Sequence, residues 1–358
     1  MNKYRILTIN PGSTSTKIAV FENEKKVFLK NIKHTKEELA KFKSVAEQYS
    51  FRMETVLNEL KYAEIDINTL NCVVGRGGLI KPISSGIYEV NEAMKKDLKN
   101  PPLGEHESNL GGLIADSIAS KQKNVKAYIA NPVVVDEMND IARYAGHPKF
   151  KRISIFHALN QKAIAAKYAR DIGKSYEELN LVIAHLGGGV SVGAHYKGKV
   201  IDVNNALDGE GPFSPNRSGT IPAGQLIEIC FSKKYDKSEI KKMIKGKGGL
   251  VAYLGTNDAY EVEMRCKQGD KKAQKISDAM AYQVAKEIGA MATVLNGNVD
   301  AILLTGGIAY NEQFCNFVIN MVNYIADVKI YPGEDEMSAL AYNGLMVLQG
   351  NIKAKIYD

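Results

Sequence analysis

Short apolar runs separated by polar turns dominate the first thirty residues. Residues 6–9 (I-L-T-I) and 18–21 (I-A-V-F) are rich in side chains that fit strands. Between them, residues 10–17 (N-P-G-S-T-S-T-K) hold a Pro-Gly pair, two Ser and two Thr, which predicts a hairpin turn. Residues 26–30 (K-V-F-L-K) predict a third antiparallel strand. From 35 to 60 the period changes. Leu39, Phe42, Val45, Ala46 and Tyr49 recur at helical spacing and predict an exposed amphipathic helix. A buried strand at 70–74 runs into Gly75-Arg76-Gly77-Gly78. Residues 101–112 read as a loop opening a helix near Leu113. Residues 127–130 read as a strand ending at Asn131-Pro132, and 155–157 as a strand end leading into a helix through 169.

The opening pattern then returns. An apolar strand at 181–184 meets the turn His185-Leu186-Gly187-Gly188-Gly189-Val190-Ser191. A second strand starts at 192–195, Lys197-Gly198 turns, and 200–203 gives a third. This is one duplication of a whole domain plan, not a short-period repeat. We place the domain change near residues 150–175, with domains over 1–152 and 153–337 and the C-terminal helix, 338–358, packing back on the first. Residues 204–220 form a long irregular loop around Arg217, and 246–255 a glycine-rich connection. Ile276, Met280, Val284, Ile288 and Met291 mark a core helix over 270–295. A strand at 301–304 ends in Thr305-Gly306-Gly307-Ile308. A helix over 311–325, a strand at 328–331 and a last helix capped by Ser338 complete the chain. The fold class is α/β.

At 358 residues the chain is long for a single core, which agrees with two domains. Its net charge of +7 comes from dispersed lysines, so a mildly basic surface suits a small anion, and no basic-aromatic platform calls for nucleic acid. The four cysteines are far apart and form no C-x-x-C, which fits reduced thiols and a cytoplasmic enzyme. No apolar run approaches membrane-spanning length.

Two turns carry the candidate chemistry. Residues 10–17 offer hydroxyls, backbone N–H groups and Lys17 without any acid, which suits phosphate; the same composition also describes a capped polar turn. Three consecutive glycines at 187–189 are more than a turn needs and let backbone N–H groups approach an anion. Gly306, Gly307 and Asn311 read either as an adenosine seat or as a tight strand-to-helix turn. Glu334, Asp335 and Glu336 read either as partners of a helix N-terminus or as the source of a magnesium ligand. Arg76 between glycines could fork onto a carboxylate or phosphate, and Arg217 lies in a loop too long for a mere connector. His157 reads equally as core or catalytic; His106 and Asn109 are weaker, Asn109 as a helix cap. The spacing of Gly193, Gly198 and Lys199 imitates a P-loop, but Val200 replaces the metal-binding hydroxyl and the segment reads as a hairpin.

Together, N-P-G-S-T-S-T-K at 10–17, V-G-R-G-G at 74–78, P-V-V-V-D-E at 132–137, S-I-F-H-A-L-N-Q-K-A at 154–163, D-G-E-G-P-F-S-P at 208–215 and L-T-G-G-I-A-Y-N-E at 304–312 resemble the butyrate kinase family. That family lies in the acetate-kinase group of the sugar kinase, heat-shock ATPase and actin superfamily. The resemblance runs nearly end to end. It implies two duplicated actin-like (ribonuclease H-like) ATPase domains with an interdomain cleft for ATP, and a homo-oligomer, a dimer or a multiple of dimers. By position it implies Asn10, Ser13, Thr14, Ser15 and Lys17 as one phosphate loop, and His185 with Gly187, Gly188 and Gly189 as the other. Gly306, Gly307, Ile308 and Asn311 become the adenosine segment, and Glu336, with Asp335 as rival, the magnesium-linked acid. His157 and Arg217 resemble the pair that stabilises the transferring phosphoryl group. Arg76 is the candidate for the substrate carboxylate, with His106 and Val133 beside it. Where the family usually has Asp before P-V-V-V-D, this chain has Asn131.

The implied reaction is ATP + carboxylate ⇌ ADP + acyl phosphate, by direct in-line transfer with magnesium. The expected acceptor is butyrate or a short branched acid such as isobutyrate. The rivals are a kinase for acetate or propionate and, in another class, an ATP-gated binding protein, which would leave Arg76, Arg217 and His157 without a task.

Overall fold

The computed structural model describes residues 3–358. The chain forms two compact units. One runs through Val135 and takes back Asp335–Asp358; the other is Asp136–Glu334.

The first unit is built on six strands: β1 (Arg5–Pro11), β2 (Ser15–Glu22), β3 (Lys25–Lys33), β4 (Cys72–Arg76), β5 (Ile87–Glu89) and β6 (Lys126–Ala130). Their order is β3-β2-β1-β4-β6-β5. β1, β2 and β3 form an antiparallel meander, and β4 and β6 continue from β1 in parallel. Alternation sends Leu7, Ile9, Ile18, Val20 and Val73 to one face, into a core with Val56, Leu60, Leu110 and Ile114. The other face, at Ile6, Cys72 and Val74, packs against the closing helix Glu336–Leu348, where Gly344 leaves room for them.

The second unit repeats this plan with β7 (Asn180–Leu186), β8 (Val190–Tyr196), β9 (Lys199–Val203), β10 (Ala301–Gly306) and β11 (Val328–Pro332) in the order β9-β8-β7-β10-β11. Again a meander is followed by two parallel strands. Val182, Ala184 and Leu304 face the long helix Lys271–Val294 through Val284 and Ile288. Leu181, Ile183 and Leu303 face the helix Ala158–Asp171 through Ala165 and Ala169. Both strand plans are those of the actin-like ATPase fold that the resemblance implied.

Several local expectations change. The single helix over 35–60 is two, Lys36–Leu39 and Tyr49–Tyr62. Between them, Glu47 accepts from the Lys43 N–H at 2.7 Å, so side chains take backbone donors that a continuous helix would use. The loop at 101–112 ends sooner, because the helix is Asn109–Ala119 and includes Gly111 and Gly112. Those glycines are helical by contact: a Cβ on Gly111 would overlap the backbone of Arg76, and one on Gly75 would overlap Gly111. Residues 155–157 form no strand, and the connection at 246–255 contains the short helix Gly249–Leu254. Asp335, not Ser338, caps the last helix. The four cysteines are unpaired. Among the described residues no helix is long and apolar enough to cross a membrane.

Candidate active site

The first turn is tighter than the sequence implies. Asn10 and Lys17 face each other as ladder partners of β1 and β2, and only Gly12, Ser13 and Thr14 lie between the strands. Lys17 is therefore an exposed strand residue, not part of the loop tip. The turn is closed by Gly12 N–H to Ser15 O at 2.7 Å, and the Ser13 and Thr14 side chains are exposed. Behind it sits Arg52, fully buried. Its Nη1 donates to Gly12 O (2.8 Å), Ser15 O (3.0 Å) and Thr16 Oγ1 (3.1 Å), and its Nη2 to Ser13 O (3.4 Å). One guanidinium thus gathers three turn carbonyls. Burial pulls its pKa down from the usual arginine value, with Glu107 opposing. Thr16 is buried and shares a 2.9 Å hydrogen bond with His34 Nε2.

At the end of β4, Arg76 is buried and ion-paired with the Glu336 carboxylate, which also accepts from the Asn10 amide. Two positions expected in different roles, Arg76 and Glu336, are thus direct partners. Arg76 Nε is buried and finds no hydrogen-bond partner among the described residues. Asp335 points elsewhere. It accepts from Ser338 N (3.0 Å) and Ser338 Oγ (2.7 Å) and pairs with Lys26 at 3.2 Å. Partial burial raises its pKa, but the Ser338 bonds and Lys26 outweigh that and hold it below the usual carboxylate value.

Asn109 does not cap its helix. Its Oδ1 accepts from Leu79 N at 2.7 Å, tying the helix to the residue after Gly77-Gly78. His106 Nδ1 lies 2.9 Å from Ser108 Oγ and accepts from Ser108 N at 3.2 Å, as part of the turn that opens the same helix. Asn131 has φ of 39°, a left-handed conformation that asparagine tolerates better than most residues. Its Oδ1 accepts from Gly86 N (2.7 Å), and its own N–H donates to Gly86 O (2.9 Å). In the segment that follows, Val134 and Val135 are fully buried and Val133 is half-buried.

In the second unit, β7 and β8 are joined by Gly187-Gly188-Gly189, closed by Gly187 N–H to Gly189 O at 3.1 Å. Gly188 faces open space. Gly189 is covered by Arg217, whose guanidinium a Cβ at 189 would overlap. Arg217 Nη1 donates to Ala206 O at 2.6 Å, and Ser214 Oγ donates to Gly188 O at 2.8 Å, so the long loop folds onto the glycine turn. Burial pushes the Arg217 guanidinium down to about 10, which still leaves it cationic at neutral pH. The His157 and His185 rings stack, with centroids 4.1 Å apart and planes 25° apart. His157 precedes the helix Ala158–Asp171, and its Nδ1 lies 2.9 Å from Ser191 Oγ. His185 is buried; its Nε2 is 3.5 Å from Glu334, and its Nδ1 finds no partner among the described residues. The structure thus brings His157, His185, Gly187–189 and Arg217 together.

Gly306 ends β10 with φ of 94°, and a Cβ there would overlap the Leu186 backbone, so the position requires glycine. Gly307 is open on its Cβ side. The Ile308 side chain is buried and belongs to the core cluster of the second unit. Asn311 caps the helix Glu312–Val322 by accepting from Phe314 N at 3.0 Å.

Sequence reasoning passed over Arg52, Ser191, Gln161, His195 and Ser214 as site-building residues. Ser191 was inside a quoted turn and could have been found from the β7–β8 register. Arg52 carried no signal, since an arginine on an amphipathic helix reads as surface.

The sequence profile described as Acetokinase family matches residues 147–338. The chain is 58% identical over 355 residues to Butyrate kinase 2 of Clostridium acetobutylicum, covering 99% of each. It is 56% identical over 354 residues to Butyrate kinase 1 of the same organism, again covering 99% of each. Among solved structures it resembles an acetate kinase of Porphyromonas gingivalis, with TM-score 0.79 and 18% identity over 96% of this chain and 100% of that one. A propionate kinase from Francisella tularensis gives TM-score 0.73 and 19% identity over 95% and 98%. At such identities the two structures show the shared fold.

Proposed function

The chain belongs to the acetokinase family, and from that membership we propose that it transfers the γ-phosphoryl group of ATP, reversibly, to the carboxylate of butyrate. The substrate choice rests on relatives named butyrate kinase that align over nearly the whole chain. The mechanistic reading rests on one observation: His157, stacked on His185, and Arg217, seated on Gly189, surround a single glycine turn.

A carboxylic acid with pKa near ~4 is already ionised at neutral pH, so the acceptor needs no general base. It needs its charge held and the charge on the phosphoryl oxygens stabilised in transfer. In this reading Arg76 binds the butyrate carboxylate, and its buried, unpartnered Nε supports that role. The N–H groups left over by the turns, at residues 13–14 and 188–189, bind phosphate oxygens, since those of Gly12 and Gly187 close their own turns; His157 and Arg217 donate to the transferring group, and Gly306 and Gly307 give the adenosine a backbone surface. Val133 is the apolar residue offered to the acyl chain.

Magnesium needs only one or two protein carboxylates beside the nucleotide phosphates. Glu336, whose carboxylate is oriented by Arg76 and the Asn10 amide, is the acid that would contribute to that donor set. No group of three or more His, Cys, Asp and Glu able to hold a metal occurs among the described residues. When bound with the nucleotide, the ion supplies electrostatic screening of the phosphate oxygens.

The test is direct. Purified protein with ATP, magnesium and butyrate should yield butyryl phosphate and ADP in equal amounts by phosphorus NMR. ATP consumption without acyl phosphate would overturn the reading.

A further inference from the structure

We propose that Ser191, Gln161, His195 and Tyr176 form a positioning chain that fixes His157 in one neutral tautomer, with Nδ1 accepting and the proton on Nε2. The inference rests on the proposed role of His157 only for its catalytic consequence. The hydrogen-bond argument stands by itself.

Every direction in the chain follows from one group that can only accept. The Ser191 backbone carbonyl lies 3.0 Å from the Gln161 side-chain nitrogen, and Ser191 Oγ lies 2.9 Å from the same atom. A carbonyl oxygen facing a carbonyl oxygen would be repulsive, so the amide group must face Ser191 and both its protons are used there. The Gln161 oxygen therefore faces His195 Nε2, 2.8 Å away, and that nitrogen must donate. His195 is fully buried, and burial together with the nearby Lys162 charge holds its pKa well below the usual histidine value. As a neutral ring that donates from Nε2, it must accept at Nδ1. The donor is the Tyr176 hydroxyl at 2.6 Å, whose pKa burial raises well above the tyrosine value.

The other end of the chain follows in the same way. Ser191 Oγ already accepts from Gln161 and, at 3.4 Å, from the His157 backbone N–H. Its own proton is left for His157 Nδ1 at 2.9 Å. An Nδ1 that accepts leaves the ring proton on Nε2. The neighbours agree. His157 stacks on His185, and two stacked imidazolium rings would repel. Glu334 faces His185. Lys162 is satisfied by Glu137 at 2.8 Å and lies over the Tyr176 ring, so it braces the far end of the chain.

The consequence is chemical. A neutral His157 with Nε2–H is a hydrogen-bond donor and cannot take up a proton at the nitrogen it presents. It can stabilise a phosphoryl oxygen but cannot serve as a base. That matches an acceptor that arrives already ionised.

The experiment uses the full chain labelled with ¹⁵N-histidine, without ligands, at neutral pH. Two- and three-bond ¹H–¹⁵N correlations report the tautomer, and His157→Gln assigns the resonance. The wild type should show Nε2 protonated and Nδ1 bare. Ser191→Ala should move proton density toward Nδ1 and lower kcat roughly five- to tenfold, the effect of one hydrogen bond. Ser191→Thr should restore both. A wild-type His157 protonated on Nδ1 or on both nitrogens overturns the proposal, as does an unchanged tautomer in folded Ser191→Ala. Because the wild-type spectrum needs no substrate, an enzyme that makes no acyl phosphate but shows the Nε2–H tautomer would sink the functional reading alone.

Discussion

The guanidinium of Arg76, where β4 ends, is ion-paired with the carboxylate of Glu336, where the closing helix begins. Both side chains are largely buried, at 9% and 18% exposed. The residue proposed to bind a substrate carboxylate therefore already holds one, while its buried Nε has no hydrogen-bond partner among the described residues. Lysine would keep the charge but lose the planar fork. Charge-assisted hydrogen bonds contribute about 1.5–3 kcal/mol each. Arg76→Lys should therefore raise the KM for butyrate by roughly tenfold or more, with the KM for ATP little changed. Initial rates over varied butyrate at saturating ATP check this. An unchanged butyrate KM would remove Arg76 from substrate binding.

Arg217 and Gly189 make a coupled pair, because the guanidinium occupies the space a Cβ would need. Removing a donor that acts on the transition state costs roughly 100- to 1000-fold in kcat. Arg217→Ala should show that loss with KM values nearly unchanged. Gly189→Ala should displace the guanidinium and lower kcat in the same direction. The double variant should be no slower than Arg217→Ala alone, since residues in contact are not additive. Additive losses would show that the two positions act separately.

Arg52 is the hidden support of the first turn. Replacing it by Met leaves the carbonyls of Gly12, Ser13 and Ser15 without their buried donor. We expect a stability loss of about 2–4 kcal/mol in urea titration, with a raised KM for ATP. A loss within ~0.5 kcal/mol, the usual range for surface substitutions, would contradict the bracing role.

Acid should destabilise the protein through two buried histidines. Burial, aided by Lys162, lowers the pKa of His195; burial, aided by Arg52, lowers that of His34. Both take up their proton at lower pH in the folded chain than in the unfolded one, where histidine titrates near 6.5. Stability is thus full above 6.5 and falls as pH drops through it. The limiting slope is about 1.4 kcal/mol per pH unit for each histidine. Denaturant titrations at pH 7.5, 6.5 and 5.5 check the sign, and His195→Gln should reduce the slope. Stability rising toward pH 5.5 would contradict the account.

The strands were legible because their apolar runs are short and bounded by turn residues, and the duplicated plan followed from seeing that pattern twice. The glycines at 187–189 were legible as the turn between two strands because they stand between two apolar runs. What escaped was anything set by distant contact. Gly111 and Gly112 looked like loop until the backbone of β4 packed on them. Lys17 looked like a loop residue, but the ladder pairs it with Asn10. Arg52 looked like surface because its turn partners lie about forty positions away. Ile308 entered only with the segment whose resemblance implies an adenosine seat, and its burial in the core follows from contacts with other elements.

Phosphoryl transfer to butyrate can be read out by trapping its product. Hydroxylamine traps acyl phosphates as hydroxamates, so the protein with ATP and magnesium is given straight and branched acids of two to five carbons. ATP-dependent hydroxamate should form with the highest kcat/KM for butyrate or isobutyrate and be lost in Arg217→Ala. Hydroxamate formed best from acetate, or from none of the acids, would contradict the butyrate reading.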